Sequence, residues 1–208
     1  MSTIVRAGIG ALVLSLVTFG GLARTQGNSV PGSALSETQQ LPQARQFAPP
    51  ECLALMDPVA LNSMTIDLDF DGSGGSELLL GTDGPDTITG RGGDDCIVGG
   101  AGGDDLNGQG GNDVVLGGNG ADTVDGAAGD DNLFGGNGAD TMNGGNDNDN
   151  VYGGPGNDPD LRGGGGDDFV YGEEGDDVLR GNAGVDTCDG GPDTDTAFGN
   201  CETQLNIP

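Results

Sequence analysis

Residues 117–143 read GGNGADTVD, GAAGDDNLF and GGNGADTMN, three nine-residue units with Gly first, Asp sixth and an apolar residue eighth. The same period runs through residues 81–198 as thirteen units, with one additional residue near Asp160. All thirteen units have Gly first and Asp sixth, and the eighth position is apolar in each of them. An apolar residue held in phase over so many units predicts stacked structural repeats rather than a low-complexity linker.

Each position of the unit has a physical role. Gly adopts left-handed backbone conformations without a Cβ penalty, so the first six residues can form a tight turn that directs carbonyl oxygens inward. The last three residues are long enough only for a minimal strand, whose central apolar side chain points to one face. Two units therefore form one coil of an all-β, right-handed parallel β-solenoid with a narrow apolar core between two thin sheets. Seven coils at the usual strand spacing predict a rod about 34 Å long.

A few units depart from the pattern. Asp147 and Asp193 replace the Gly of the fourth position, which predicts either a distorted turn or an added ligand. Pro159 and the additional residue near Asp160 predict a bulge in the roll that weakens any site using Asp158.

The composition agrees with a fold that depends on a ligand. The chain has 208 residues, of which 45 are Gly and 34 are Asp or Glu, against 6 Lys or Arg and no His. Abundant Gly, high charge and 4% aromatic residues favour disorder unless something neutralises the carboxylates. The net charge of -28 argues against nucleic acid and anionic membranes as partners. Cations are therefore the expected partners.

The thirteen units resemble the glycine-rich nonapeptides of RTX, or haemolysin-type calcium-binding, proteins. The resemblance implies a parallel β-roll in which each Ca²⁺ lies between the turns of alternate units, bound by Asp carboxylates and backbone carbonyl groups. Pairing the sixth-position residues of alternate units, such as Asp86 with Asp104, allows about eleven sites. The implied ligands are Asp86, Asp95, Asp104, Asp113, Asp122, Asp131, Asp140, Asp149, Asp158, Asp168, Asp177, Asp186 and Asp195.

The start of the chain predicts export. Residues 1–23 contain Arg6, an apolar run over residues 7–22 and small residues before a predicted cleavage after Ala23, which together indicate a secretory signal peptide. An uncleaved membrane anchor is the alternative, although the run is near the lower length limit for a span. We therefore expect an extracellular or cell-surface protein that does not insert into the membrane after cleavage.

The remaining segments flank the array. Residues 24–50, which are rich in Gln, Ser, Pro and Ala, predict a flexible spacer. Residues 51–80 predict an N-terminal cap that ends in a degenerate first repeat, with Glu77 in the place of Asp. Residues 199–208 predict a C-terminal cap, so that the β-roll itself occupies residues 81–198.

Four cysteines in an exported chain predict two disulfides, for which three connectivities can be drawn. We favour Cys52 with Cys96 and Cys188 with Cys201. Cys188 lies in the strand of the penultimate unit and Cys201 follows the last unit, so the chain can fold back onto the same sheet. A zinc site is the alternative, but the chain lacks His and has no short Cys pair.

Another calcium motif is weaker. Asp67, Asp69 and Asp71 are spaced as at the start of an EF-hand loop, but position twelve of that loop is Leu78 where a bidentate Glu is required. A capping strand over residues 66–70, in which apolar residues alternate with Asp, is the favoured interpretation.

The sequence predicts an exported, non-enzymatic calcium-binding protein that folds on binding Ca²⁺. The chain has no His for a nucleophile–base pair, and its carboxylates are spaced as ligands rather than as an acid and a base. A calcium-stiffened surface or matrix adhesion protein is an alternative, with an extracellular polysaccharide or a cell-surface component as candidate partner. An ice-binding solenoid would require a flat file of Thr, whereas the outer positions seven and nine are mixed. An enzyme acting on an acidic polymer would be repelled by the acidic surface.

Overall fold

The computed structural model describes residues 5–7, 12–14, 49–55, 65–67, 71–198 and 200–207. Within these residues the chain forms one short helix and eighteen short strands. In chain order the elements are β1 (Val5–Ala7), β2 (Leu12–Leu14), α1 (Pro50–Leu55), β3 (Thr65–Asp67), β4 (Glu77–Leu80), β5 (Thr87–Thr89), β6 (Cys96–Ala101), β7 (Asp105–Gly110), β8 (Val114–Asn119), β9 (Thr123–Ala128), β10 (Asn132–Asn137), β11 (Thr141–Asn146), β12 (Asn150–Tyr152), β13 (Asp160–Gly165), β14 (Phe169–Tyr171), β15 (Val178–Ala183), β16 (Asp186–Asp189), β17 (Thr196–Phe198) and β18 (Cys201–Leu205).

Successive strands of the array alternate between two parallel sheets. One sheet has nine strands in the order β18-β16-β14-β12-β10-β8-β6-β4-β3, and the other has seven in the order β17-β15-β13-β11-β9-β7-β5. Eighth-position residues of alternate units pair directly, as Leu133 does with Val115 and Met142 with Val124. Two units therefore make one coil, and the predicted parallel β-roll is confirmed as a solenoid of about seven turns.

The core lies between the two sheets and consists of the inward eighth-position side chains of both, with Cys201 of β18 at one end. Strand alternation directs this residue inward and its two neighbours outward. Complete burial of one Val, Leu or Ile side chain contributes about 1.5–3 kcal/mol, so each unit adds little apolar stabilisation of its own. The buried core cluster comprises Leu79, Ile88, Ile97, Leu106, Val115, Val124, Leu133, Met142, Val151, Leu161, Val170, Leu179, Cys188 and Cys201.

The additional residue of the ninth unit leaves the stack in register. It lies between Asp158 and Leu161, next to Pro159, where the turn passes into β13. Leu161 still pairs with Met142 on one side and with Leu179 on the other. The predicted bulge is therefore absorbed at the end of the turn and does not displace the core.

Two disulfides join the caps to the array, with the connectivity that the sequence favours. Cys52 of α1 bonds to Cys96 of β6, with their Cα atoms 5.9 Å apart. Cys188 of β16 bonds to Cys201 of β18, with a Cα separation of 5.6 Å. The second bridge fixes β18 as the last strand of the nine-stranded sheet.

The outer face of the nine-stranded sheet is apolar along much of its length. Beyond the part packed against α1, the rings of Phe134 and Tyr152 stack with centroids 4.9 Å apart, and Tyr152 stacks on Tyr171 at the same distance. The buried cluster between α1 and the sheet comprises Cys52, Leu78, Cys96, Val98 and Val114.

The outer face of the seven-stranded sheet is polar. Asn143 donates a hydrogen bond from Nδ2 to Asp125 Oδ1 at 2.8 Å. Further along the sheet, the guanidinium groups of Arg162 and Arg180 both bind the carboxylate of Asp160. The same repeat therefore presents different surfaces on its two sheets.

The predicted signal peptide and spacer lie largely outside the described residues. Of residues 1–23, the structure describes β1 and β2, which form an antiparallel pair. Of the proposed capping strand, it describes β3, which pairs with β4; residues 68–70 lie outside the described residues. In the described part of the chain, no helix is long and apolar enough to cross a membrane.

Candidate metal centre

The sixth-position aspartates form two files, one along each edge of the roll. In most units the Asp follows a turn and immediately precedes a strand, whereas Pro159 separates Asp158 from β13 and Asp186 is the first residue of β16. The turns of alternate units stack on the same edge. Asp86, in the first unit, is half-buried. The other members of the predicted ligand set are buried: Asp95, Asp104, Asp113, Asp122, Asp131, Asp140, Asp149, Asp158, Asp168, Asp177, Asp186 and Asp195.

One carboxylate oxygen of each buried Asp contacts the preceding coil. The Oδ1 atom of Asp113 accepts a hydrogen bond from the backbone N–H of Asp95 at 2.8 Å, and the Oδ1 atom of Asp131 accepts one from Asp113 at 2.8 Å. The bond is repeated along both edges at 2.8–3.0 Å. The structure thus places together the pairs of aspartates that the sequence pairs, including those on either side of the additional residue.

The second carboxylate oxygen is buried without a hydrogen bond. Burial of an anionic oxygen without a partner costs roughly several kcal/mol of folding free energy, so a long row of such atoms fits the binding of cations. Within the described residues, no hydrogen bond reaches the Oδ2 atoms of Asp95, Asp104, Asp113, Asp122, Asp131, Asp140, Asp149, Asp158, Asp168, Asp177 and Asp195.

The first-position Gly leaves space beside this oxygen. A Cβ atom on Gly117 would lie 2.6 Å from Asp122 Oδ2 and 2.6 Å from the carbonyl oxygen of Gly135, in the next coil on that edge. The same space recurs at Gly126, where the corresponding distances are 2.4 and 2.5 Å. A carboxylate oxygen and a carbonyl oxygen therefore lie on either side of one small gap, which is too narrow for a Cβ atom.

This geometry suits calcium. Ca²⁺ binds six to eight oxygen ligands, which it takes from carboxylates and backbone carbonyl groups. In the described residues, no three His, Cys, Asp or Glu side chains gather around one point. A calcium site here would combine the carboxylates of alternate units with carbonyl oxygens of the turns, and the residues present fit that composition.

Burial raises the pKa of these carboxyl groups. The pKa of Asp95 and that of Asp131 rise from 3.8 to about 8, and that of Asp113 rises to about 7. Desolvation is the largest cause; the backbone N–H that binds Oδ1 acts in the opposite direction, and nearby carboxylates add to the rise. A bound divalent cation would reverse this balance, because it stabilises the ionised form.

The two units without a fourth-position Gly keep the turn. Asp147 has φ 74° and Asp193 has φ 89°; most fourth-position glycines also have positive φ, at larger values such as 144° at Gly120. Asp is among the few L-residues that adopt positive φ readily, because its short polar side chain can bond locally. The structure therefore shows a tolerated substitution in the backbone of these turns.

Sequence reasoning missed the role of the first-position Gly. It assigns every Gly to backbone freedom, whereas Gly117 and Gly126 lie outside the left-handed region and are constrained by the space next to the Asp carboxylate. The invariance of the first position across the thirteen units is the signal that could have indicated this.

Gly117→Ala is expected to weaken calcium binding through a steric clash beside the carboxylate rather than through an unfavourable φ. The new methyl group would occupy the gap between Asp122 Oδ2 and the Gly135 carbonyl oxygen, so the affinity of the sites that share this gap should fall about tenfold or more, at roughly 1.4 kcal/mol per tenfold. Calorimetric titration with Ca²⁺ measures the change. Gly110→Ala is the matched control, because a Cβ there lies 3.7 Å from the Arg91 carbonyl oxygen, at ordinary contact distance. Equal titration curves for the two variants would contradict the assignment of the gap.

The fold and the rows of buried oxygens define a calcium-binding parallel β-roll. The family model of the RTX calcium-binding nonapeptide repeat matches the chain in four copies, at residues 71–106, 98–133, 125–158 and 162–197. These segments cover more than half of the 208 residues, so the chain belongs to the RTX calcium-binding nonapeptide repeat family. Comparisons with the curated proteins and with the solved structures found no match.

Proposed function

We propose that this calcium-binding repeat protein is exported and that its array folds when Ca²⁺ binds between the turns of alternate units. The observation that carries the proposal is the row of buried Oδ2 atoms that receive no hydrogen bond. The proposed ligands are the sixth-position aspartates together with turn carbonyl groups, at about eleven sites. No catalytic role is proposed.

Charge explains why folding should require the cation. Residues 81–198 contain 26 Asp or Glu and three Arg. At neutral pH the ionised chain repels itself and resists burial of its carboxylates. Eleven divalent ions would supply roughly 22 positive charges, which nearly neutralises the array. Calcium binding and folding are then a single coupled event.

Asp131→Asn tests the proposal at one position. Asp131 is fully buried and its Oδ2 atom receives no hydrogen bond, so we expect the variant to bind fewer calcium ions and to need about tenfold more Ca²⁺ for folding. Asp130→Asn makes the same change of charge at the neighbouring residue. Asp130 is exposed, and its Oδ1 atom accepts the backbone N–H of Asn148 at 2.9 Å, a bond that an Asn oxygen can keep.

Equilibrium dialysis with counting of bound calcium, together with circular dichroism, separates the two variants. The proposal requires D131N to lose bound calcium and D130N to resemble the unchanged chain. If both variants lost calcium equally, the binding would follow overall charge rather than the buried file of aspartates.

Export to the cell surface or the medium is the proposed location. It is supported by the signal-peptide pattern of residues 1–23 and by two disulfides, which persist in oxidising compartments. Proteins of the RTX repeat family are also generally secreted.

A calcium-stiffened adhesion or spacer protein is the second candidate. It is favoured by apolar side chains on the outer face of the nine-stranded sheet, where Phe169 is 45% exposed and flanks the stacked ring of Tyr171. Exposed aromatic residues of this kind commonly belong to contact surfaces. A polysaccharide or a cell-surface component remains the proposed partner in that case.

A further inference from the structure

In the first turn on each edge of the roll, a hydroxyl group of the turn itself donates a hydrogen bond to the carboxylate at the end of that turn. In the degenerate first repeat, the Glu77 carboxylate accepts hydrogen bonds from the backbone N–H of Ser73, at 3.0 Å to Oε2, and from the Ser73 hydroxyl group. In the next unit, Asp86 Oδ2 accepts the backbone N–H of Thr82 at 2.6 Å and the Thr82 hydroxyl at 2.9 Å. Both hydroxyl residues occupy the second position of their units.

The later units lack this arrangement. Their second position is never Ser or Thr, and its non-glycine members, such as Arg91, Gln109 and Ala127, have φ between 71° and 79°. Ser73 and Thr82 are not among the residues with positive φ. From Asp95 onward, apart from Asp186, the Oδ2 atom of each sixth-position Asp receives no hydrogen bond in the described residues.

Other contacts also hold the N-terminal end together. The second apolar cluster, which lies between α1 and the outer face of β4, β6 and β8, contains the disulfide of Cys52 and Cys96. Leu78 in this cluster and Leu79 in the main core are both fully buried and adjacent in β4. This end therefore buries more apolar surface per coil than the rest of the array, where each unit contributes one core side chain.

We propose that Ser73 and Thr82 are positioning residues that take the place of a cation in the first turn of each edge. The backbone N–H and hydroxyl groups of Ser73 and Thr82 supply hydrogen bonds to the Glu77 and Asp86 carboxylates. These two turns therefore close without calcium. Residues 72–89 then form a calcium-independent platform, and the disulfide of Cys52 and Cys96 holds β6 against it. The calcium-bound coils stack on this platform. The proposal rests on the proposed function and narrows it, because the turn of Asp86 then needs no ion, although pairing of the aspartates alone would assign it one.

Hydrogen exchange of the purified chain, with its disulfides intact and calcium removed at pH 7, tests the platform. We expect peptides within residues 77–98 to exchange at least about tenfold more slowly than peptides within residues 114–152. In the double variant Ser73→Ala, Thr82→Val the protection of residues 77–98 should fall about tenfold or more, because hydrogen bonds to charged groups are lost. Thr123→Val removes an exposed hydroxyl of similar size and should leave that protection unchanged.

The outcomes distinguish this inference from the function on which it depends. Equal exchange of the two regions without calcium, or full protection in the double variant, would overturn the platform while added calcium still protected residues 114–152. Absence of protection by calcium anywhere in the array would instead contradict the proposed function.

Discussion

Gly120→Val is expected to prevent calcium-induced folding of the coils around the substitution. Gly120 has φ +144°, and a Cβ built on it would lie 1.3 Å from the carbonyl oxygen of Gly102. A β-branched residue cannot adopt this backbone, and the coil below cannot move away without breaking the register of both sheets. We expect a loss of about 4 kcal/mol or more in the folding free energy of the loaded array.

Gly120→Asp is the informative comparison. Asp occupies the same fourth position at Asp147 and Asp193, with φ 74° and 89°, so this turn can accept Asp by a change of φ. Circular dichroism at saturating Ca²⁺ should show a large loss of β signal for G120V and a much smaller one for G120D. Two variants with the same signal as the unchanged chain would show that the fourth position is not sterically closed.

Acid is expected to replace calcium in part. In the folded chain the pKa of Asp95 and that of Asp131 rise to about 8, and that of Asp113 to about 7, above the ordinary value of 3.8. A carboxyl group with a raised pKa in the folded state stabilises that state fully below about pH 4. This contribution is lost as the pH rises through the folded values to about 8.

The calcium-free chain should therefore gain β structure on acidification from pH 7.5 to pH 4, and calcium added to this acid-ordered chain near pH 5 should release protons, because its buried carboxyl groups are protonated in the folded state. Circular dichroism in chelator measures the first effect, and the pH change on adding Ca²⁺ to weakly buffered protein measures the second. A calcium-free chain that is more ordered at pH 7.5 than at pH 4 would refute the buried position of the carboxylates. The control is the calcium-saturated chain at pH 7.5. It should show full β structure, because bound Ca²⁺ compensates the carboxylate charge that protons compensate at low pH.

Much of the fold follows from the nine-residue period alone. The eighth residue of each nine-residue unit is apolar, as at Leu133 and Val151, and these residues can all be buried only if alternate units stack in register. The disulfides could also be anticipated, because Cys188 and Cys201 flank the last coil in a chain predicted to be exported. Local rules and the global fold agree at these residues.

Other features depend on contacts between coils, which a period cannot resolve. Asp86 occupies the same position of the repeat as the later aspartates, yet in the structure its Oδ2 atom accepts a hydrogen bond from the Thr82 hydroxyl group. Gly occupies both the first and the fourth position of the unit, but for different reasons. Gly117 has no room for a side chain beside a neighbouring carboxylate, whereas Gly120 has a backbone conformation that favours Gly. These distinctions arise because each turn packs on a turn eighteen residues away.

The most direct measurement is a Ca²⁺ titration of the purified chain at pH 7, followed by circular dichroism and small-angle scattering. The calcium-free chain should be expanded, and β signal and compaction should appear together and cooperatively as calcium binds. Mg²⁺ should substitute poorly, because it dehydrates reluctantly and requires stricter octahedral geometry. A chain with the same spectrum and radius in chelator and in millimolar Ca²⁺ would contradict the claim that calcium between the turns folds this protein.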